Sequence, residues 1–224
     1  MRVFEGVKAS DKTELNNALS LFKYPIKINK DKNNNIKSPE IGCMISHLKL
    51  YKHIIDNNIN ICTIFEDDVH FHPNWHTLAP KFFNNTPKNF DVIFIGNRIK
   101  NYNNSPKINT DSSVALHAYI ITLVGAKRLL NSILNWDYHN FKLNGLHIID
   151  VIIKNIQNRI NGGKIKRLFT WYCWNATKFA CKYNKLQYKR RKCNCGLVFQ
   201  SESFISSISQ TNYGNPRVTI QNNL

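Results

Sequence analysis

Apolar residues recur along this chain in two different rhythms. After Ser38 they fall at Met44, Leu48, Tyr51 and Ile55, steps of four, three and four that lay one apolar stripe along an amphipathic helix. Ser38 as N-cap, Pro39 at the first helical position and Glu40 in the first turn mark its start, and Asn57-Asn58 mark its end. The second rhythm is the short apolar run. Ile61–Phe65 is rich in β-branched residues and reads as a buried strand that stops abruptly at Glu66-Asp67-Asp68. Phe90–Ile95, ending at Gly96, and Ala118–Thr122 read the same way, with Leu168–Cys173 and Gly196–Phe199 as further candidates. Helices are expected around Trp75–Phe83, over Gly125–Leu134 with Ala126, Leu129, Leu130 and Ile133 on the apolar side, and over Leu146–Ile156 with Ile149, Ile152, Ile153 and Ile156 on the packed face. Residues 1–37 are polar and irregular, Asn97–Asp111 is Asn-rich and loop-like, and the stretch from Thr211 reads as a loose tail. Strands alternating with helices predict an α/β sheet covered by helices, with one domain over residues 1–210 and a tail over 211–224.

Composition changes this picture only in what the surface attracts. The 224 residues, 42% hydrophobic, suffice for one substantial core. The formal charge of +17 draws phosphate-bearing partners: nucleotides, nucleic acid or an anionic membrane surface. Abundant Lys, Asn and Ile are equally what an AT-rich genome produces. The densest charge, Lys189-Arg190-Arg191-Lys192, fits a phosphate or glycolipid contact or a solvated loop. The N-terminus lacks the apolar core of a signal peptide, and no run approaches 18 apolar residues. Six cysteines without a C-x-x-C pair suggest thiols in a reducing compartment, so a cytoplasmic location, with a possible peripheral membrane contact, is expected.

The candidate chemistry lies at Glu66-Asp67-Asp68. Alternation along a strand turns Glu66 and Asp68 one way and Asp67 the other. Ligands of open α/β sheets bind beyond the carboxyl ends of strands. Carboxylates crowded there repel one another unless a cation intervenes, and Mg²⁺ or Mn²⁺ shared with substrate phosphates suits oxygen ligands. On its own the triplet also fits a solvated turn. His70 and His72 flank it as possible extra ligands or as loop residues.

An ordered set of motifs resembles glycosyltransferase family 25. It comprises Gly42-Cys43-Met44-Ile45-Ser46-His47, then Ile64-Phe65-Glu66-Asp67-Asp68-Val69, Phe90–Gly96, and Ala118-Tyr119 through Thr122, Gly125-Ala126 and Leu129-Leu130. Asp150 and a strand ending near Gln200-Ser201 follow, so that the likeness covers roughly residues 38–203. Glu202 stands where the family pattern has Asp. The resemblance implies a GT-A-like α/β fold with a central, mostly parallel sheet. It also implies a UDP-sugar donor, Mn²⁺ or Mg²⁺, and transfer of a galactose or glucose with inversion to a glycan, glycolipid or hydroxylysine hydroxyl. Glu66 and Asp68 would hold the metal, while Ser46, His47 and Asp67 would contact the nucleotide. Asp150 would serve as general base or contact the acceptor. Tyr119 and Gly125 would serve packing and a tight helix start, and Gly42 a close helix approach. The family's usual opening strand, of the type V-I-N-L, is not found, so the sheet is expected to lack it and to expose an edge. Two other functions compete: a nucleotide- or glycan-binding protein without turnover, and a basic nucleic-acid-binding protein, for which no recognisable motif is present.

Overall fold

The computed structural model describes residues 2–22, 38–67, 69–72, 74–96, 107–109, 116–135, 149–150, 152–153, 170–175, 198–200 and 217–221. Among them a seven-stranded sheet runs in the order β1 (Arg2–Glu5), β9 (Arg217–Gln221), β2 (Ile61–Glu66), β6 (Ala118–Thr122), β4 (Val92–Phe94), β7 (Trp171–Asn175), β5 (Lys107–Asn109). A separate ribbon pairs β3 (Val69–Phe71) with β8 (Val198–Gln200). The helices are α1 (Lys12–Leu19), α2 (Ser38–Asp56), α3 (Trp75–Asn85) and α4 (Leu123–Leu134).

Side-chain alternation divides the sheet into two faces. Cys62 and Ile64 of β2, Val92 and Phe94 of β4, and Tyr119 and Ile121 of β6 enter one core with α1, α2 and α4. The intervening Phe65, Ile93, Ile95, Ala118 and Ile120 enter a second core, where Phe82 of α3 is buried and Trp75, Leu78, Ala79 and Phe83 pack against it. The main core is centred on α2, in which Ile41, Met44, Ile45, Leu48, Leu50, Tyr51 and Ile54 are fully buried. At about 1.5–3 kcal/mol per buried large apolar side chain, this helix is the principal anchor of the fold. It is enclosed more completely than its four-residue stripe predicts, because α1 and α4 pack on it in addition to the sheet.

Each helix end has an identifiable cause. Asn58 adopts φ 49°, its N–H reaches the Ile55 carbonyl at 3.2 Å, and the Ile59 N–H reaches that of Ile54 at 3.0 Å, closing α2 with a left-handed Asn cap. Asp11 caps α1 by accepting from the backbone N–H groups of Thr13 and Glu14. Thr122 caps α4 by accepting from the Gly125 N–H at 3.0 Å.

Three expectations are corrected. The sheet is not mostly parallel: among the described strands only β4 and β7 pair parallel, and every other pairing is antiparallel. The physical reason is interleaving. β1, β2, β4 and β7 do run in one direction, as helical crossovers require. However, β9 and β6 run oppositely and occupy the slots between β1 and β2 and between β2 and β4. The tail is not loose throughout, since Arg217–Gln221 bonds on both sides as β9, with Val218 opposite Phe4 and Glu66. The polar residues 1–37 are not irregular throughout either, since β1 and α1 fall within them. β9 lies between β1 and β2. The helix expected over Leu146–Ile156 lies mostly outside the described residues. Ile149, Ile152 and Ile153 are described, and they are buried in the main core.

Candidate functional site

Because β1, β2, β4 and β7 share a direction, their carboxyl ends share one edge of the sheet, and Glu66 is the last residue of β2. Cys62, Ile64 and Glu66 alternate onto the face covered by α2. There Glu66 meets His47: Nε2 lies 3.3 Å from Glu66 Oε1, with the imidazole 1% and the carboxylate 18% exposed. His47 Nδ1 lies 2.8 Å from the Tyr119 hydroxyl, which donates in turn to the Tyr51 hydroxyl at 3.3 Å. The result is a buried side-chain relay, Tyr51–Tyr119–His47–Glu66, running from the middle of α2 to the sheet edge. Burial pushes both tyrosine hydroxyls well above their usual range, so both stay protonated. The charge of Glu66 adds to the shift of Tyr119, and those of Cys43 and Asp150 to that of Tyr51.

The residues singled out in the sequence thus separate. Glu66 and His47 are in contact. Asp67 is exposed in the turn directly after β2. Asp68 lies outside the described residues. Asp150 is half-buried and within electrostatic reach of Tyr51. Ser46 faces elsewhere: it is 1% exposed, and its Oγ accepts from the Val7 N–H at 2.7 Å and donates to the Gly42 carbonyl at 2.6 Å. These bonds fasten α2 to the chain after β1. A Cβ on Gly42 would sit 2.6 Å from the Val7 carbonyl oxygen, so glycine permits that approach. His72 is buried, and its Nδ1 accepts from the Asn74 N–H at 3.0 Å. The His70 side chain and the Lys189–Lys192 run lie outside what is described.

Two features were not singled out from sequence. Tyr119 reads as packing there, yet its hydroxyl is the hinge of the relay. Cys43, which carries no assigned role in the motif, is half-buried and offers its sulfur beside His47 and Glu66. The available signal was the spacing of four between Cys43 and His47, which puts both on one side of α2. Cys62 differs: it is buried, and desolvation pushes its thiol up to about 12.

Chemically, the edge offers a half-buried carboxylate oriented by a buried imidazole, with an exposed carboxylate adjoining it. Oxygen donors of this kind suit a hard divalent cation. No described helix is long and apolar enough to cross a membrane.

Several known proteins resemble this chain in part. Human procollagen galactosyltransferase 2 is 27% identical over 104 residues, which cover 42% of this chain and 17% of that protein. A putative glycosyltransferase of Haemophilus influenzae is 28% identical over 122 residues, covering 50% of this chain and 43% of that protein. The mouse protein named inactive glycosyltransferase 25 family member 3 is 23% identical over 111 residues, covering 42% of this chain and 17% of its own length. The matches therefore span less than half of each of these relatives. Residues 1–144 match the family described as glycosyltransferase family 25 (LPS biosynthesis protein), and that span contains the α2 motif, the acidic end of β2 and β6. This chain belongs to glycosyltransferase family 25.

Proposed function

We propose that the carboxyl end of β2 binds a UDP-sugar and that the protein transfers its hexose, galactose or glucose, to a hydroxyl of a glycan, glycolipid or hydroxylysine acceptor with inversion. The observation that carries this reading is the position of Glu66. It ends a buried strand at the edge where the co-directed strands terminate, it is held by a buried histidine, and an exposed Asp67 follows it. Family membership and the procollagen galactosyltransferases among its relatives supply the reaction class.

Glu66 would hold a Mg²⁺ or Mn²⁺ ion together with Asp68, with Asp67 facing the nucleotide. Bound there, the ion would supply charge stabilisation for the departing diphosphate. The protein's own groups do the rest. His47 fixes the Glu66 carboxylate through Nε2. Tyr119 and Tyr51 fix the imidazole through Nδ1, so the carboxylate is set before a ligand arrives. Asp150 would accept the proton of the acceptor hydroxyl as that oxygen attacks the anomeric carbon. Ser46, whose hydroxyl is engaged with Val7 and Gly42, would act on the site only by placing α2.

The test is release of UDP from a panel of UDP-sugars with Mn²⁺ and candidate acceptors, set beside UDP binding by calorimetry. Transfer that is lost in Asp150→Asn with donor and acceptor saturating supports the reading, and near-normal turnover in that variant removes Asp150 from the base role. A second reading, nucleotide or glycan binding without turnover, is favoured by the presence of proteins named inactive among the relatives. UDP affinity without transfer from any donor would establish it. Steeply salt-dependent binding to DNA or RNA without UDP affinity would instead make the protein a nucleic-acid binder.

A further inference from the structure

We infer that Cys43, His47 and Glu66 form a metal site of mixed sulfur, nitrogen and oxygen donors, selective for Zn²⁺-like ions over Mg²⁺ and Mn²⁺, on the inner side of the β2 edge. The three donor atoms lie within 4.8 Å of one another. Cys43 and His47 project from successive turns of α2, and Glu66 approaches from the end of β2. Tetrahedral zinc, with metal–ligand distances of about 2.0–2.3 Å, places neighbouring nitrogen and oxygen donors about 3.4 Å apart. The His47 Nε2 to Glu66 Oε1 separation of 3.3 Å already has that value.

The surroundings point the same way. A metal-binding histidine donates its other ring N–H to a fixed acceptor, which sets tautomer and ring orientation. Here that acceptor is the Tyr119 hydroxyl, 2.8 Å from Nδ1, and Tyr119 in turn donates a hydrogen bond to Tyr51. In this arrangement Nε2 presents a lone pair toward Glu66 and Cys43. The other tautomer is accommodated as well: Nε2–H donates to Glu66, and the Tyr119 hydroxyl turns to donate to Nδ1 while accepting from Tyr51. The hydroxyl pair serves both states, because each oxygen can donate or accept. Metal entry shifts the ring proton from Nε2 to Nδ1 and releases the Cys43 thiol proton to solvent, leaving the histidine neutral. His47 is almost wholly buried while Cys43 and Glu66 are partly exposed, so the site is supported from within and reachable from outside. Three protein ligands leave a fourth position open at the edge, where an oxygen of a ligand or water would sit. The thiolate separates this site from an all-oxygen one, since soft sulfur favours zinc and cobalt over magnesium and manganese.

This site shares Glu66 with the transferase reading but does not depend on turnover, so its test is read on the metal. The full-length chain, stripped with chelator under reducing conditions, is titrated with Co²⁺. One equivalent should bind with the visible bands of tetrahedral cobalt and a thiolate-to-cobalt charge-transfer band in the near ultraviolet, and Zn²⁺ should displace it. Cys43→Ser should abolish the charge-transfer band and weaken Zn²⁺ binding by at least about 100-fold, and Glu66→Gln should weaken it by about 10-fold or more while keeping the band. Cys62→Ser should keep both the band and the affinity. Circular dichroism melts of each variant establish that it is folded. Absence of cobalt binding, a charge-transfer band that survives Cys43→Ser, or Mn²⁺ binding as tightly as Zn²⁺ would each overturn the proposal. A site that fails these tests while UDP-sugar transfer proceeds with Mn²⁺ leaves the transferase reading standing alone.

Discussion

Two buried polar clusters sit at opposite ends of the same sheet, and they are built in opposite ways. At the amino end of β4, Asp91 has a side chain 4% exposed, and both of its oxygens are occupied. Arg128 of α4 binds them at 3.0 and 2.8 Å, and the Thr170 N–H adds a third bond at 2.8 Å. The Asp91 carbonyl accepts from the Thr122 N–H at 3.0 Å, and a Cβ on Gly125 would overlap that carbonyl. This cluster ties β4, β7 and the start of α4 together through backbone groups. At the carboxyl end of β2, the Tyr51–Tyr119–His47–Glu66 relay contains only side chains, ends on a partly exposed carboxylate and has two consistent proton arrangements. A cluster closed through the backbone resists change, whereas one made of rotatable hydroxyls and an imidazole can reorganise around a ligand. The first has the character of a fastener and the second that of a site.

The largest expected contrast comes from changing one acid in each cluster. Asp91→Ala strands the Thr170 N–H and loses charged hydrogen bonds, at a cost of about 3 kcal/mol in a denaturant melt, with UDP affinity of the folded fraction unchanged. Arg128 is half exposed and turns to solvent, which keeps the cost from rising further. Glu66→Gln, nearly isosteric, should lower transfer by about 100-fold while costing less than about 1 kcal/mol of stability. If the two variants give the same signature, the division into fastener and site is wrong.

A smaller effect is expected at the relay's hinge. Tyr119→Phe leaves the ring packing but removes the hydroxyl that serves His47 and Tyr51, costing about 1–2 kcal/mol by melting. A transfer rate that falls more than the folded fraction does would place Tyr119 among the groups that orient Glu66. Ser46→Ala should cost about 1 kcal/mol through the orphaned Val7 N–H and leave UDP affinity as it is. An affinity loss greater than about tenfold would return Ser46 to the nucleotide.

The smallest effect is a pH dependence at His72. Burial lowers its pKa below the usual 6.5, so the unfolded chain takes the proton first. The contribution of neutral His72 is therefore complete above about pH 6.5, and it is lost as the pH falls through the lower, folded value. Wild-type melts between pH 7.5 and 5 should lose slightly more stability than those of His72→Gln, and parallel curves would exclude the effect.

Much of the architecture was legible because it depends on local periodicity. The α2 stripe, its Asn cap, the β2 run, β6 and α4 all followed from spacing, and each falls within a few residues of its expected bounds. The elements that escaped are those whose apolar content is small. β1 and β9 are short and sit among polar residues, and β9 is a strand only because β1 and β2 offer it unpaired backbone on both sides. α1 escaped even though Asp11 and Glu14 carry a capping signal, since its buried face consists of little more than Leu15 and Ala18.

The sequence by itself determined that an α/β sheet would form, that one helix would be its anchor, and that an acidic turn would end a buried strand. These are consequences of period and composition, which act within a few residues of one another. Only the tertiary structure decided that the slots between the co-directed strands would be taken by oppositely running ones, that Ser46 would face Val7 while its neighbour His47 faces Glu66, and that Cys43 and Tyr119 would join them. Those outcomes depend on which face of α2 lies over which strand. That relation is set by packing between residues as far apart as His47 and Tyr119, and no local pattern in either segment encodes it.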